Sequence, residues 1–182
     1  MSDVVVRQAV LADLEPLAVL FDAYRRFQGR PADLAAARAF LRERFEHGQS
    51  VVYLAQDAAG AARDATRSAA YGAAAAAGTA SAASAASAAG ALGFAQLYPS
   101  FSSVALARVF ILNDLFVAEA GRRRGVASAL LGAVEAHAWA HGACRVTLNV
   151  ARDNPEGQAL YRARGWMQDE HFHMFHRFPA AG

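Results

Sequence analysis

A chain of 182 residues with 55% hydrophobic content can bury one substantial core and is too short for two full domains, so a single domain over 1–182 is expected. The charges nearly cancel, 18 Lys+Arg against 16 Asp+Glu, and no basic stripe interleaves with aromatics, which speaks against nucleic-acid binding. The opening Met1-Ser2-Asp3-Val4-Val5-Val6-Arg7 lacks the basic and apolar regions of a secretory signal and the single Cys144 cannot close an internal disulfide, so the expected location is cytoplasmic.

Val4-Val5-Val6 reads as an opening strand. Asp13 is placed to cap a helix running to about Arg26, with Leu14, Leu17, Ala18 and Phe21 as its apolar stripe. A second helix follows Pro31, carries Ala36, Phe40, Leu41 and Phe45 inward, and stops at Gly48. Strands are expected over 50–56 and 92–98, joined by residues 58–91. That segment is mainly Ala, Ser, Gly and Thr, with no Val, Ile or Leu before Ala91. It lacks the transfer energy of a membrane span and the large side chains that would dock it, so it reads as a disordered, low-complexity insertion into a hairpin loop.

The next run, Val109-Phe110-Ile111-Leu112-Asn113-Asp114-Leu115-Phe116-Val117, is apolar on both faces, as in a central strand covered by helices. It leads into Arg122-Arg123-Arg124-Gly125-Val126-Ala127. Behind that turn Val126, Leu130, Val134 and Ala138 recur at helical spacing to a stop at Gly142, giving a helix over roughly 124–141. Residues 145–150 read as a further strand with Cys144, a small buried apolar residue, at its start. Three arginines beside the positive end of a helix dipole conflict electrostatically unless an anion joins them. A phosphate resolves the conflict: first-turn N–H groups can donate to it, Gly125 removes the obstructing Cβ, and Ala127 keeps the next turn open.

The turn reads R-x-x-G-x-A. With Asn154-Pro155-Glu156-Gly157-Gln158-Ala159-Leu160-Tyr161 and the pair Gly165-Trp166 downstream, it resembles the GNAT superfamily of N-acetyltransferases. The resemblance covers essentially the whole chain outside the Ala-rich segment. It implies an α/β fold with a mixed, mostly antiparallel sheet in the order β-α-α-β-β-β-α-β-α-β-β, splayed between strands four and five, and the periodicities agree with that order. Leu97 to Ser103 and Leu112 to Leu115 look like the bacterial and yeast branch associated with histone, polyamine or D-amino-acid acetylation.

The resemblance also implies a chemistry. Acetyl-CoA is the co-substrate, no metal is required, and a neutral amine attacks the thioester carbonyl through a tetrahedral oxyanion. Arg122, Arg123, Arg124, Gly125, Val126 and Ala127 hold the pyrophosphate. The Leu115 backbone N–H receives the developing charge, Phe116 and Val117 align pantetheine, and Asn154 touches cofactor, caps its helix, or does both. Tyr161 matches the family's general acid. Where some members carry a catalytic glutamate this chain has Ile111, so Asp114 is the candidate base, with a turn-forming or cation-pairing role as its alternative. Tyr24, Phe27, Tyr98, Ser100 and Phe101 are the candidates for the amine pocket, against plain core packing.

The acceptor is a small-molecule amine or a protein amino group, and the family's pairing of subunits through edge strands leaves a homodimer open. A polyamine would call on Glu15, Asp22, Glu43, Glu46 and Asp114; an amino acid would need Arg25 or Arg26 for its carboxylate. His137 with His141, and His171 with His173 on a terminal strand, lack a third metal ligand at convincing spacing. A non-catalytic acyl-CoA sensor, keeping the turn without needing Tyr161, is the alternative from another class.

Overall fold

The computed structural model describes residues 3–62 and 90–179 and divides the chain into two compact units, Met1–Asn149 and Val150–Gly182. Most of the stretch expected to be disordered, 63–89, lies outside the described residues. Its flanks do not: 58–62 form a helical turn, and the Asp57 N–H bonds the Gly90 carbonyl at 3.0 Å, so both ends leave from one point between two strands.

In the first unit, β1 (Val4–Gln8), β2 (Val51–Asp57), β3 (Ala91–Ser102), β4 (Ala107–Val117) and β5 (Ala143–Thr147) lie side by side in that order. The first four run antiparallel and β5 joins β4 in parallel. A parallel neighbour needs a crossover, and α3 (Val126–Ala140) supplies it. Two helices, α1 (Leu14–Phe27) and α2 (Leu34–Glu46), cover the opposite face. Their apolar stripes meet Val52, Leu54 and Phe94, with Leu17, Ala18, Ala37 and Leu41 among the buried residues. On the α3 side Leu130, Leu131, Val134 and Ala138 are fully buried, which explains why that helix is the most apolar of the chain.

Local chemistry sets the boundaries. Asp33 caps α2 by accepting from the Ala36 N–H at 2.9 Å. Asp13 stands at the start of α1 but makes no cap bond there: its carboxylate takes both Arg7 guanidinium nitrogens at 2.7 and 2.8 Å and the Val10 N–H at 2.9 Å. The stronger charge-assisted partner wins over the helix N–H groups. The third helix begins at Val126 rather than 124 because Gly125 sits at φ 76°, outside the right-handed region. Cys144 is exposed, not buried, since it lies on the outermost strand of the sheet.

In the second unit α4 (Pro155–Ala163) is capped by Asn154, whose side chain accepts from the Gly157 N–H at 2.9 Å. The two final strands of the expected order are absent among the described residues: 166–179 form no ladder. Met167, Phe172, Met174, Phe175 and Phe178 are exposed there, and His171 and His173 share no strand face. An extended segment without a paired neighbour satisfies no backbone groups and registers as no strand.

Candidate active site

Two features of β4 create the site. Gln96 pairs with Asp114 but Leu97 pairs with Leu112, so Asn113 is an extra, unmatched residue. Such a bulge bends its strand and increases the local twist. Pairing with β5 ends at Ile111 and Thr147, two residues before the bulge, while β4 continues to Val117. Leu115, Phe116 and Val117 therefore lie on a stretch of β4 paired to β3 but not to β5.

The chain then turns through Glu119–Gly121 into the arginine triplet. Arg123 at φ 58° and Gly125 at φ 76° are both left-handed, so the backbone reverses twice within a few residues. A Cβ at Gly125 would meet nothing within 4 Å, so its backbone angle rather than crowding demands glycine, and the space beside it is open. Arg122, Arg123 and Arg124 are exposed, and Arg124 donates to the Ala120 carbonyl at 3.2 Å. The capping bond of α3 runs from the Ala129 N–H to the Gly125 carbonyl at 3.0 Å, leaving the Val126, Ala127 and Ser128 N–H groups for a ligand. Gly93 seats this turn against the strand end: a Cβ there would fall 2.5 Å from the Phe116 carbonyl oxygen and 3.3 Å from Val126. Open backbone donors beside three cations fit a pyrophosphate.

The α1/α2 face of the same strands carries a second group of residues. Asp114 is 6% exposed; Asn113 donates to it at 3.1 Å and the Tyr24 hydroxyl also donates to it. Burial pushes its carboxyl above the ordinary range, and these two hydrogen bonds pull the other way. Tyr24 stands over the end of β4, its ring 6.0 Å from both Phe94 and Phe116, and Phe27 touches Phe116 at 6.4 Å. Tyr98 lies opposite Ile111, which is 37% exposed, and accepts a hydrogen bond from Arg44 of α2. Burial raises the Tyr98 hydroxyl; Asp114 adds to this and Arg44 opposes it.

Tyr24, Phe27, Tyr98 and Asp114 are thus brought to one face. Ser100 continues the face of Gln96 and Tyr98 toward the far hairpin, opposite Val109, whereas Phe101, opposite Arg108, falls on the other face. They lie four to five residues from Gln96, about 13–17 Å along the strand. Phe101 is 72% exposed beneath the Arg108 guanidinium at 5.1 Å. In the second unit, Tyr161 is half-buried with its ring 5.8 Å from Trp166, and burial raises its hydroxyl so that it stays protonated at neutral pH. Asn154 takes the cap role.

Sequence reading misses Arg44, which pattern alone presents only as a charged residue on a helix, and Gln96, fully buried opposite Asp114 with its Nε2 donating to Ser50 Oγ at 2.8 Å. Period-two spacing with Phe94 and Tyr98 is the available signal for Gln96. His137 and His141 stack at 4.0 Å at the end of α3, with the Tyr53 hydroxyl 3.1 Å from His137 Nδ1. Among the described residues no group of three or more His, Cys, Asp or Glu is placed to hold a metal, and no helix is long and apolar enough to cross a membrane.

Comparison with known proteins bears on the family and the fold. The Acetyltransferase (GNAT) family matches residues 56–166. An uncharacterized N-acetyltransferase of Bacillus subtilis (strain 168), YhfO, is 33% identical over 167 residues, covering 92% of each chain. A crystal structure described as that of a probable acetyltransferase superposes with a TM-score of 0.73 at 34% identity, over 98% of this chain and 99% of the other. An aminoglycoside N-acetyltransferase, AAC(6')-Iy, solved in complex with CoA, shares the fold at TM-score 0.67 and 20% identity, over 97% and 96% of the two chains. The strand-turn-helix unit, its open first-turn donors and the family match over most of the chain lead to one conclusion: this protein belongs to the GNAT family of acetyltransferases, enzymes that use acetyl-CoA.

Proposed function

We propose that the protein transfers an acetyl group to a primary amine of a small molecule or of a protein, by direct attack without a covalent acyl-enzyme. The observation that carries this reading is the set of open N–H donors at Val126, Ala127 and Ser128 directly after a strand that has left its β5 ladder. Acetyl-CoA supplies the activated acyl group as a thioester. Arg122, Arg123 and Arg124 with the Gly125–Ala127 backbone bind the pyrophosphate, while Phe116 and Val117 orient the pantetheine arm. The Leu115 backbone N–H stabilises charge developing on the carbonyl oxygen.

An alkyl ammonium in water loses its proton only near pH 10.4, a value of about that size being usual for a lysine side chain, so a proton must leave nitrogen before attack. Asp114 takes it, directly or through water; its burial raises the carboxyl toward the range useful for a base. A carbon–nitrogen bond forms and the carbon–sulfur bond breaks; Tyr161, kept protonated by burial, gives a proton to the departing sulfur, and the second proton that nitrogen sheds on becoming an amide returns through water to the Tyr161 oxygen. The Tyr24 hydroxyl fixes the Asp114 carboxylate, and Phe27 and Tyr98 wall the acceptor side.

Release of free CoA thiol across a panel of amines tests the reading. Amine-dependent release above the rate of hydrolysis is expected. Tight acetyl-CoA binding with no amine-dependent release would instead indicate an acyl-CoA sensor.

A further inference from the structure

We infer that the acceptor amine also carries a carboxylate, as an amino acid does, with Arg44 receiving the carboxylate and Asp114 facing the nitrogen. This rests on the transfer reading above and narrows it to a substrate class.

Charge pairing over the α1/α2 face disfavours a polycation. Glu15 is held by Arg38 at 2.8 Å. Asp22 accepts the Asp33 N–H at 2.8 Å and meets Arg26 at 3.3 Å. Asp13 takes Arg7, and Glu46 lies 3.8 Å from Arg42. The acids that would have lined a polyamine pocket are matched to arginines, whereas the hydrogen bonds to Asp114 come from the neutral side chains of Asn113 and Tyr24. One such carboxylate suits one ammonium.

A fixed cation meets Tyr98 on the neighbouring strand. Arg44, with a side chain only 21% exposed, is held over the Phe40 ring at 4.1 Å and donates to the Tyr98 oxygen. Its Nη1 lies 2.6 Å from Glu43 Oε2 at an angle that makes no hydrogen bond, and Glu43 is 57% exposed. Nη1 is buried and has no hydrogen-bond partner, and a guanidinium has five N–H donors, so the planar fork retains capacity for a carboxylate. Along β3, Tyr98 at the Arg44 contact and Gln96 opposite Asp114 are two residues apart, about 7 Å. An amino acid hydrogen-bonded at both ends spans a distance of that order. Arg25 and Arg26, the cations expected from sequence, make other contacts, Arg25 with the Asp33 carbonyl at 3.5 Å and Arg26 with Asp22 at 3.3 Å, and neither meets Tyr98 as Arg44 does.

The test compares amino acids with their decarboxylated counterparts, such as lysine with cadaverine and ornithine with putrescine, as acceptors for the full chain at saturating acetyl-CoA. The wild type should favour the carboxylate-bearing member in kcat/KM by about tenfold or more, as for a charged hydrogen bond. Arg44→Gln should bring that ratio close to one, Arg44→Lys should restore part of it, and acetyl-CoA affinity by calorimetry should hold in both. Equal or better turnover of the decarboxylated amines, or equal losses on both classes in the variants, would overturn the acceptor assignment and leave acetyl transfer standing. No turnover with either class would also overturn the acceptor assignment; the transfer reading falls only if acetyl-CoA binds and no amine of the wider panel releases CoA thiol.

Discussion

Between Arg122 and Ala127 the groups proposed to bind phosphate come from six consecutive residues, are largely backbone, and remain exposed apart from Val126 and the half-buried Ala127. Around Asp114 the site's groups come from α1, α2, β3 and β4, are side chains, and are buried or half-buried except for Phe27 and Asn113. The first arrangement depends on φ angles and on the unpaired start of a helix, so it tolerates much variation in side chain but almost none in backbone. The second depends on sheet register, where one extra residue, Asn113, decides which side chains share a face. The contrast predicts that the two regions fail differently when altered.

The largest effect is expected at the turn. Gly125→Glu places a side chain at φ 76° and a negative charge where phosphate binds, and should remove acetyl-CoA binding. Because a Cβ there meets nothing within 4 Å, the fold should persist, with normal circular dichroism. Unchanged affinity by calorimetry would break the assignment of this turn to phosphate.

A substitution acting on chemistry rather than on either binding region should fall between the extremes. Tyr161→Phe should lower kcat by about 10²–10⁴-fold with little change in acetyl-CoA affinity, the range for a positioned proton donor. A loss under threefold in steady-state assays would reduce the residue to its ring contact with Trp166.

The smallest effect belongs to the segment outside both regions. Asp57 and Gly90 are already hydrogen-bonded at 3.0 Å, so replacing 63–89 with a short Asn-Gly turn closes a gap that needs no closing. Loop entropy changes only slowly with length, on the order of 0.6 kcal/mol per doubling, so the melting temperature should stay level or rise by a few degrees. A marked fall in melting temperature or in kcat/KM would give that segment a role.

These differences also explain what is legible in the sequence. The R-x-x-G-x-A turn, the Asn154 cap and the helix starting behind Gly125 are local patterns, and they stand in the sequence within a residue or two of where they form. Asp114 is visible as a carboxylate near a strand end, but its burial and its tie to Tyr24 depend on α1 crossing that strand. Arg44 is not visible as a site residue because nothing near it in sequence says which face it takes, and Gln96 is visible only through its period-two spacing with Phe94 and Tyr98. Phe101 reads as a pocket residue from its composition, but alternation along β3 turns it to the other face, while Ser100 keeps the face of Tyr98 further toward the hairpin. The absent final strands show the same limit, since residues 166–179 have strand-like composition but no ladder among the described residues.

Asp114 is the residue at which burial and chemistry meet. Burial raises its carboxyl in the folded state above the unfolded value. The stability gained by the neutral form is therefore complete below the unfolded value and is lost as pH rises through the folded one. Over the same window the ionised form needed to accept a proton appears, so kcat/KM should rise with pH through a midpoint above the ordinary carboxylate range. The decisive measurement is the pH profile of kcat/KM for Asp114→Asn beside the wild type, with acetyl-CoA affinity determined on both. A base at this position requires a loss of about 10²–10⁴-fold, disappearance of the acidic limb set by this group, and unchanged acetyl-CoA binding. A variant with wild-type kcat/KM and the same acidic limb would contradict it.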